Sequence, residues 1–116
     1  MNMRKKSDAL LLELENKIQY NFSDLSLLLQ ALTHSSYANE MRMQKENNNE
    51  RLEFLGDAVL ELVTSEYVYK EYKDESEGDL TKLRASIVCE QTLSACARNL
   101  NLGKYLLLGK GEDITG

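Results

Sequence analysis

The chain has 116 residues, a net charge of −5 and a sequence pI of about 4.9, which is room for one compact domain. This acidic balance excludes binding to a phosphate backbone by bulk electrostatics alone; a nucleic-acid partner would need local basic patches, bound metal or a second, basic domain. The chain contains no Pro or Trp, and its apolar residues recur at helical spacing, which predicts an all-α protein. Its longest apolar run is far shorter than a membrane span, so we expect no membrane partner.

The first half of the chain is predicted to form two helices followed by a long loop. Apolar spacing predicts a helix over residues 8–18. Ser23 is the predicted N-cap of a second helix that runs through Leu32. Residues 33–37 are expected to close that helix, and the polar residues 38–49 are expected to form a loop.

The second half is predicted to be mostly helical. A long helix is expected over residues 50–72, and a charged turn follows it. Gly78 lies at the start of the next helix, which either continues or restarts over residues 90–101. Gly103 occupies the position where a residue of left-handed conformation often ends a helix.

The two cysteines are predicted to be free thiols. Cys89 and Cys96 lie seven residues apart, which on one continuous helix is about 10 Å of rise and too far for a disulfide. Two free thiols without a secretion signal favour a reducing cytoplasm. A zinc site is not expected, because these cysteines and the single histidine, His34, lack ligand spacing.

The helix that begins at residue 50 has an acidic face. At about 100° per residue, Glu50, Glu53 and Asp57 fall within about 60° of one another. No Lys or Arg lies one turn from any of them within the motif, and like charges at this spacing are destabilising. A divalent cation would offset that repulsion. The opposite face of the helix is apolar and consists of Leu52, Leu55, Val59, Leu62 and Val63.

A large aromatic residue lies on the same side as the acids. Phe54 is about 40° from Glu50 around the helix. A bulky apolar side chain on a charged face is poorly explained by a monomer. The position therefore indicates a contact with another chain.

Several separated segments together resemble one known family. The chain is similar throughout nearly its whole length to the catalytic domain of bacterial ribonuclease III, which cuts double-stranded RNA. The acidic helix resembles that family's signature segment. The similar segments are residues 32–36, 50–60, 77–85, 102–106 and 108–112.

The resemblance assigns roles to individual residues. Glu53 and Asp57 match the magnesium ligands of the signature helix, and Glu50 matches an accessory acid at its start. Glu77 matches a further acid near the active centre. Glu50 and Glu77 are also explained as first-turn acids favoured by the helix dipole. Phe54 matches a knob that enters a socket on the partner subunit.

The implied protein is a Mg²⁺-dependent endoribonuclease, with Mn²⁺ as a substitute metal. It would act on double-stranded RNA, with ribosomal precursors as the family's expected substrates, and would work as a homodimer in the cytoplasm. The implied fold is the all-α ribonuclease III endonuclease domain over residues 1–116, without its last helices. The double-stranded RNA-binding domain that usually follows is not included in the sequence.

The chain departs from the family pattern after its last loop. It stops at Gly116, before the family's second acidic pair, and Asp113 does not match that pair. We therefore expect weak metal binding, little cleavage by this chain alone, and apolar core surface exposed by the missing helices.

Two alternatives stay open. A non-catalytic, dimeric scaffold of the same fold that binds double-stranded RNA predicts eroded acids, yet Glu53 and Asp57 are present. An unrelated acidic interaction domain leaves the separated similar segments unexplained.

Overall fold

A computed structural model describes residues 3–111, and for residues 3–7 and 45 it describes the backbone only. The helices of this part are α1 (Met3–Ile18), α2 (Leu25–Ala31), α3 (Ser35–Glu40), α4 (Glu50–Glu71), α5 (Glu77–Ile87) and α6 (Glu90–Asn99). Two 3-10 turns are present at Lys45–Asn47 and Leu102–Lys104. The predicted all-α class is confirmed, since residues 3–111 contain one isolated bridge, Thr33 with Leu107, and no strand. Among these helices, none has both the length and the apolar character that crossing a membrane requires.

The first two helices differ from the prediction at their starts. α1 begins at Met3, five residues earlier than expected, because Arg and Lys favour helix without contributing apolar periodicity. The N-cap of α2 is Asp24 rather than Ser23. The Asp24 carboxylate accepts hydrogen bonds from the Ser26 hydroxyl (2.6 Å) and the Ser26 backbone N–H (3.0 Å). These bonds lower the pKa of Asp24, the hydroxyl bond most strongly.

The predicted loop over residues 38–49 is wrong in part, because it overlaps a short third helix. His34 is the N-cap of α3, and its Nδ1 accepts a hydrogen bond of 3.1 Å from the Ser36 backbone N–H. Ala38 is the buried residue of α3. A six-residue helix with one buried position has too few apolar residues to produce a periodic sequence pattern.

The long helix α4 is confirmed to within one residue of its predicted end. α5 and α6 are separate helices, and α6 restarts after the N-cap Cys89. The left-handed residue after α6 is Asn101, with φ of 52°, and not Gly103. Asn is the side-chain-bearing residue that tolerates this conformation best.

The core is built from residues of α1, of α2 and its C-cap, and of the segment after α6. Leu11 and Leu14 of α1 pack with Leu28 and Leu32 around Tyr105. α4 packs against α5, and its buried residues are Thr64 and Val68. The radius of gyration is 16.8 Å and the longest extent 57 Å, whereas a compact domain of this length has a radius of about 13 Å. The long helix therefore extends beyond the core and leaves much of its surface uncovered.

Candidate active site

Hydrogen bonds to the preceding helices fix the beginning of α4. The Asn49 backbone N–H donates to the carbonyl oxygen of Thr33 at 2.9 Å. The Asn49 side-chain amide donates to the carbonyl oxygen of Ala31, also at 2.9 Å. The Glu50 backbone N–H donates to the side-chain oxygen of Asn48 at 3.0 Å. The first turn, where the acidic face starts, is thus attached to the C-terminal end of α2.

The three acids of this face occupy successive turns of α4. Glu50, Glu53 and Asp57 are all exposed. Among the side chains described, none of the three forms an ion pair. The repulsion inferred from the sequence is therefore not offset by a basic side chain in this part of the structure. The carboxylates remain available to a cation.

Glu77 lies elsewhere. It borders a small cleft with Val68 and Tyr69 of α4. Val68 is eleven residues after Asp57, about 16 Å along the helix. Asp57 instead borders a cleft with Val88 and other residues of the α5–α6 junction. Within one chain, Glu77 and Asp57 therefore border different clefts along α4.

Glu53 and Asp57 fit half of a magnesium site. No group of three His, Cys, Asp or Glu side chains with metal-binding geometry occurs in residues 8–111, of which residue 45 is not described. Mg²⁺ is commonly held by one or two carboxylates, with waters and substrate phosphates as its other ligands. Glu53 and Asp57, one turn apart, would supply the two carboxylates on one side of such an ion. Asp113, the last acid considered in the sequence, lies outside the described residues.

The two thiols belong to α6, where Cys89 is the N-cap and Cys96 lies within the helix. Cys89 and Cys96 are both free, as predicted. The Cys89 sulfur lies 3.2 Å from the Thr92 hydroxyl. This hydrogen bond is the main reason that the pKa of Cys89 is lowered.

Phe54 projects into solvent beside the acids. Its exposed fraction is 82%, which is unusual for a large apolar side chain. It borders an open cleft of about 610 Å³ at the start of α4. The other residues that line this cleft are Gln30, Glu46, Glu50, Arg51, Leu52 and Leu55.

The apolar face of α4 is also largely uncovered. Leu55 is 58% exposed and Leu62 70% exposed, while Val59 and Val63 are more than half exposed. Burial on α4 is confined to Thr64 and Val68.

Sequence reasoning missed the role of Arg84. Its guanidinium reaches from α5 to α4, where Nε lies 3.8 Å from Glu61 Oε1 and Nη1 donates to Ser65 Oγ at 3.0 Å. The sequence carried no signal for this contact, because the contact depends on how α5 packs against α4.

Comparison with known proteins assigns the chain to a family. The model of the ribonuclease-III-like family matches residues 24–116, which include all the acids discussed above. The chain belongs to the ribonuclease III family. It is similar to Ribonuclease 3 of Caldanaerobacter subterraneus subsp. tengcongensis, with 60% identity over 103 residues that cover 89% of this chain and 45% of that protein. Ribonuclease 3 of Halalkalibacterium halodurans is 53% identical over 116 residues, covering 100% of this chain and 44% of that protein.

The fold matches solved structures of the same family. The nuclease domain of ribonuclease III from Campylobacter jejuni superposes with a TM-score of 0.78 and 47% identity, covering 89% of this chain and 68% of that chain. That structure is described as flexible in a region involved in dimer formation. The present chain spans less than half the length of the two Ribonuclease 3 proteins compared above.

Proposed function

We propose that this chain carries the metal-binding helix of an endoribonuclease that uses Mg²⁺, cleaves double-stranded RNA and acts as a homodimer. The observation that carries the proposal is the pair Glu53 and Asp57. Both are exposed on successive turns of α4, and neither has an ion-pair partner among the described side chains. Acids on a merely solvated face are usually interleaved with basic side chains. Membership of the ribonuclease III family supports the assignment.

The proposed chemistry is hydrolysis of a phosphodiester. Water attacks phosphorus, the bond from phosphorus to the 3′ oxygen breaks, and the products carry a 5′-phosphate and a 3′-hydroxyl. Bound Mg²⁺ would neutralise charge on the phosphoryl oxygens and lower the pKa of a coordinated water. Glu53 and Asp57 would hold the ion at a fixed position on α4. Glu50, one turn earlier, would orient water or the ion from the edge of the site.

The acidic charge of the chain makes the metal important for substrate binding as well. With a net charge of −5, the chain repels RNA at long range. An ion between Glu53 and Asp57 would provide local positive charge where a phosphate must approach. The two free thiols support a reducing cytoplasm as the place of action.

Metal binding can be measured directly on this chain. A Mg²⁺ or Mn²⁺ titration followed by calorimetry should show weak binding, because most of the coordination shell is left to water. Asp57→Asn should abolish it. Glu66→Gln is the matched control, since Glu66 lies on the same helix and pairs only with the exposed Lys70 at 3.5 Å among the described side chains. Equal binding by wild type and Asp57→Asn would contradict the proposed site.

Activity is to be tested on a longer chain that also contains the part of the relatives' sequence beyond the matched region. We suggest joining residue 116 in register to the rest of the Halalkalibacterium halodurans Ribonuclease 3, because similarity to that protein covers this whole chain. The chimera should cut a long RNA duplex with Mg²⁺, and Glu53→Gln or Asp57→Asn should slow it at least ~100-fold. Glu66→Gln should leave the rate unchanged. An intact duplex with the wild-type chimera would refute the nuclease assignment.

This chain without an extension is expected to cut poorly. The described residues contain no group of three acids with metal-binding geometry, and this observation favours the second candidate, a non-catalytic scaffold that binds double-stranded RNA. Rapid, specific cleavage by the 116-residue chain would contradict both this expectation and the scaffold. Duplex binding without cleavage by the chimera would support the scaffold.

For the homodimer, we propose that Phe54 inserts into the cleft of about 610 Å³ at the start of the partner's α4. A two-fold interface is self-complementary, so each Phe54 would enter the equivalent cleft of the other chain. Because an exposed aromatic ring gains most from burial at an interface centre, one substitution should have a large effect.

The test of the dimer is sedimentation across a concentration series. Phe54→Ala should shift the chain toward monomer, with a dissociation constant raised at least ~30-fold. Tyr69→Ala is the matched control, since Tyr69 is also an aromatic residue of α4 and is 73% exposed. A sedimentation profile of Phe54→Ala identical to wild type would remove Phe54 from the interface.

A further inference from the structure

Arg84 forms the ion pair that connects α5 with the acidic side of α4 in the described structure. Its Nε lies 3.8 Å from Glu61 Oε1, and its Nη1 donates to Ser65 Oγ at 3.0 Å. The Ser65 hydroxyl in turn donates to the Glu61 carbonyl oxygen at 2.7 Å. The guanidinium is thus held at two points of α4.

Glu61 continues the acidic face of α4. It follows Asp57 by four residues, which is about 40° around the helix and about 6 Å along it. Asp57 and Glu61 also border the same small cleft, together with Val88. Asp57 therefore has a carboxylate one turn away on each side, Glu53 before it and Glu61 after it. By spacing alone, either neighbour could share a cation with Asp57.

We infer that Arg84 is a positioning residue that selects between these two arrangements. It holds the Glu61 carboxylate toward α5, so that the cation is shared by Asp57 and Glu53. This inference rests on the proposed function, because it concerns the same metal site. An ion shared with Glu61 would be displaced by about half a turn to one turn along α4. A displacement of that size would move the ion out of its reactive position, because a misplacement of even about 1 Å slows a positioned reaction.

The pair is only partly shielded from water, which limits its strength. The Arg84 side chain is 34% exposed and the Glu61 side chain 63% exposed. Such pairs are weak, so Arg84 should bias the position of the ion without locking it. We expect Arg84→Ala to increase the affinity for Mn²⁺ by about two- to fivefold, because Glu61 is released as an additional ligand.

Mn²⁺ is a suitable probe because it broadens the NMR signals of nearby nuclei steeply with distance. In the isotope-labelled 116-residue chain, substoichiometric Mn²⁺ should broaden the backbone amides around Glu53 and Asp57 most strongly. In Arg84→Ala, the broadening should extend toward Glu61 and Ser65. Arg84→Lys should restore the wild-type pattern in part, since a positive charge returns without the bond to Ser65 Oγ. The same spectra report whether each variant is folded.

Two controls separate positioning from a general loss of positive charge. Lys82→Ala removes the same charge from α5 at an exposed position, and should leave the broadening pattern unchanged. Adding Glu61→Gln to Arg84→Ala should return the centre of broadening and the affinity to wild-type values. If Arg84→Ala still changes the broadening pattern in the Glu61→Gln background, the loss of Arg84 acts on the ion without Glu61, and the inference is wrong. An unchanged pattern in Arg84→Ala would also overturn it.

The same experiment distinguishes the inference from the function on which it rests. Mn²⁺ binding that depends on Asp57 but not on Arg84 would overturn the inference alone. If the wild-type chain shows no Mn²⁺ binding that Asp57→Asn removes, the inference and the proposed metal site fail together.

Discussion

Replacing Gly109 by Ala should destabilise the attachment of the last described segment, residues 109–111, to α3. Gly109 is buried, and its backbone N–H donates to Ser36 Oγ at 2.8 Å. The next backbone N–H, of Lys110, donates to Glu40 Oε2 at 2.9 Å. A Cβ at residue 109 would lie 3.0 Å from each of three atoms: Glu40 Oε2, Ser36 Cβ and the Ser36 carbonyl oxygen.

The magnitude follows from which of these atoms can move. The Glu40 carboxylate can swing away, but it then loses the Lys110 N–H. The Ser36 atoms belong to a helix and cannot move alone, so the segment that contains Gly109 must shift and weaken its own hydrogen bonds. Overpacking of this kind costs about 2 kcal/mol. At an unfolding entropy of about 2.1 cal/mol/K per residue, a chain of this length should lose about 8 °C in Tm.

Thermal unfolding followed by far-UV circular dichroism measures this change. Gly103→Ala is the matched control, because a Cβ there meets nothing within 4 Å and the φ of Gly103 is not positive. Its Tm should be unchanged or slightly higher. Amide exchange at residues 109 and 110 should accelerate only in Gly109→Ala. If the two variants melt within about 1 °C of each other, the contact between residues 109–111 and α3 does not contribute to stability.

Three further substitutions probe the acidic helix and the caps. Asn49→Asp should cost about 0.5–1.5 kcal/mol in unfolding free energy, because a carboxylate oxygen would replace the amide that donates to the Ala31 carbonyl. Chemical denaturation measures this cost, and an Asn49→Asp variant as stable as wild type would contradict the anchoring role of Asn49. Gly56→Ala should raise the unfolding free energy by up to about 1 kcal/mol, since Gly56 is inside α4 and a Cβ there meets nothing within 4 Å. A lower Tm would mean that this face of α4 is covered in solution. Asp24→Asn should flatten the acid limb of the stability curve. The pKa of Asp24 is lowered by the Ser26 hydrogen bonds. The contribution of Asp24 to folding stability is therefore complete above the unfolded pKa of about 4, and it is lost as pH falls through the lower folded value. An Asp24→Asn variant with the same acid limb as wild type would exclude this effect.

The sequence predicted the helices that carry strong apolar periodicity. α4 was placed to within one residue because its pattern extends over several turns and charged residues mark its start. α3 was missed because its stability comes from His34 capping and one buried alanine. Such short-range hydrogen bonding leaves no periodic signal.

The candidate site was predicted only as far as one helix can define it. Spacing placed Glu53 and Asp57 on one face, and α4 exposes both. The position of Glu77 relative to them depends on how α5 packs along α4, which spacing within either helix does not contain. The packing places Glu77 beside Val68 and Tyr69, far along the helix from Asp57. The link from Arg84 to Glu61 was hidden for the same reason.

The arrangement of α4 would explain why the proposed metal site and the proposed subunit contact occupy the same segment. The helix is fixed at its start by Asn49 and beyond its middle by Thr64 and Val68. Between these points, both its acidic and its apolar side chains face solvent. Uncompensated like charge favours binding of a cation, and uncovered apolar surface favours association. Because Phe54 lies next to Glu53 in the sequence, association through Phe54 would also bring the acidic faces of two chains near each other. A cation at each face would then reduce the repulsion between them, so we expect metal binding and dimerisation to strengthen each other.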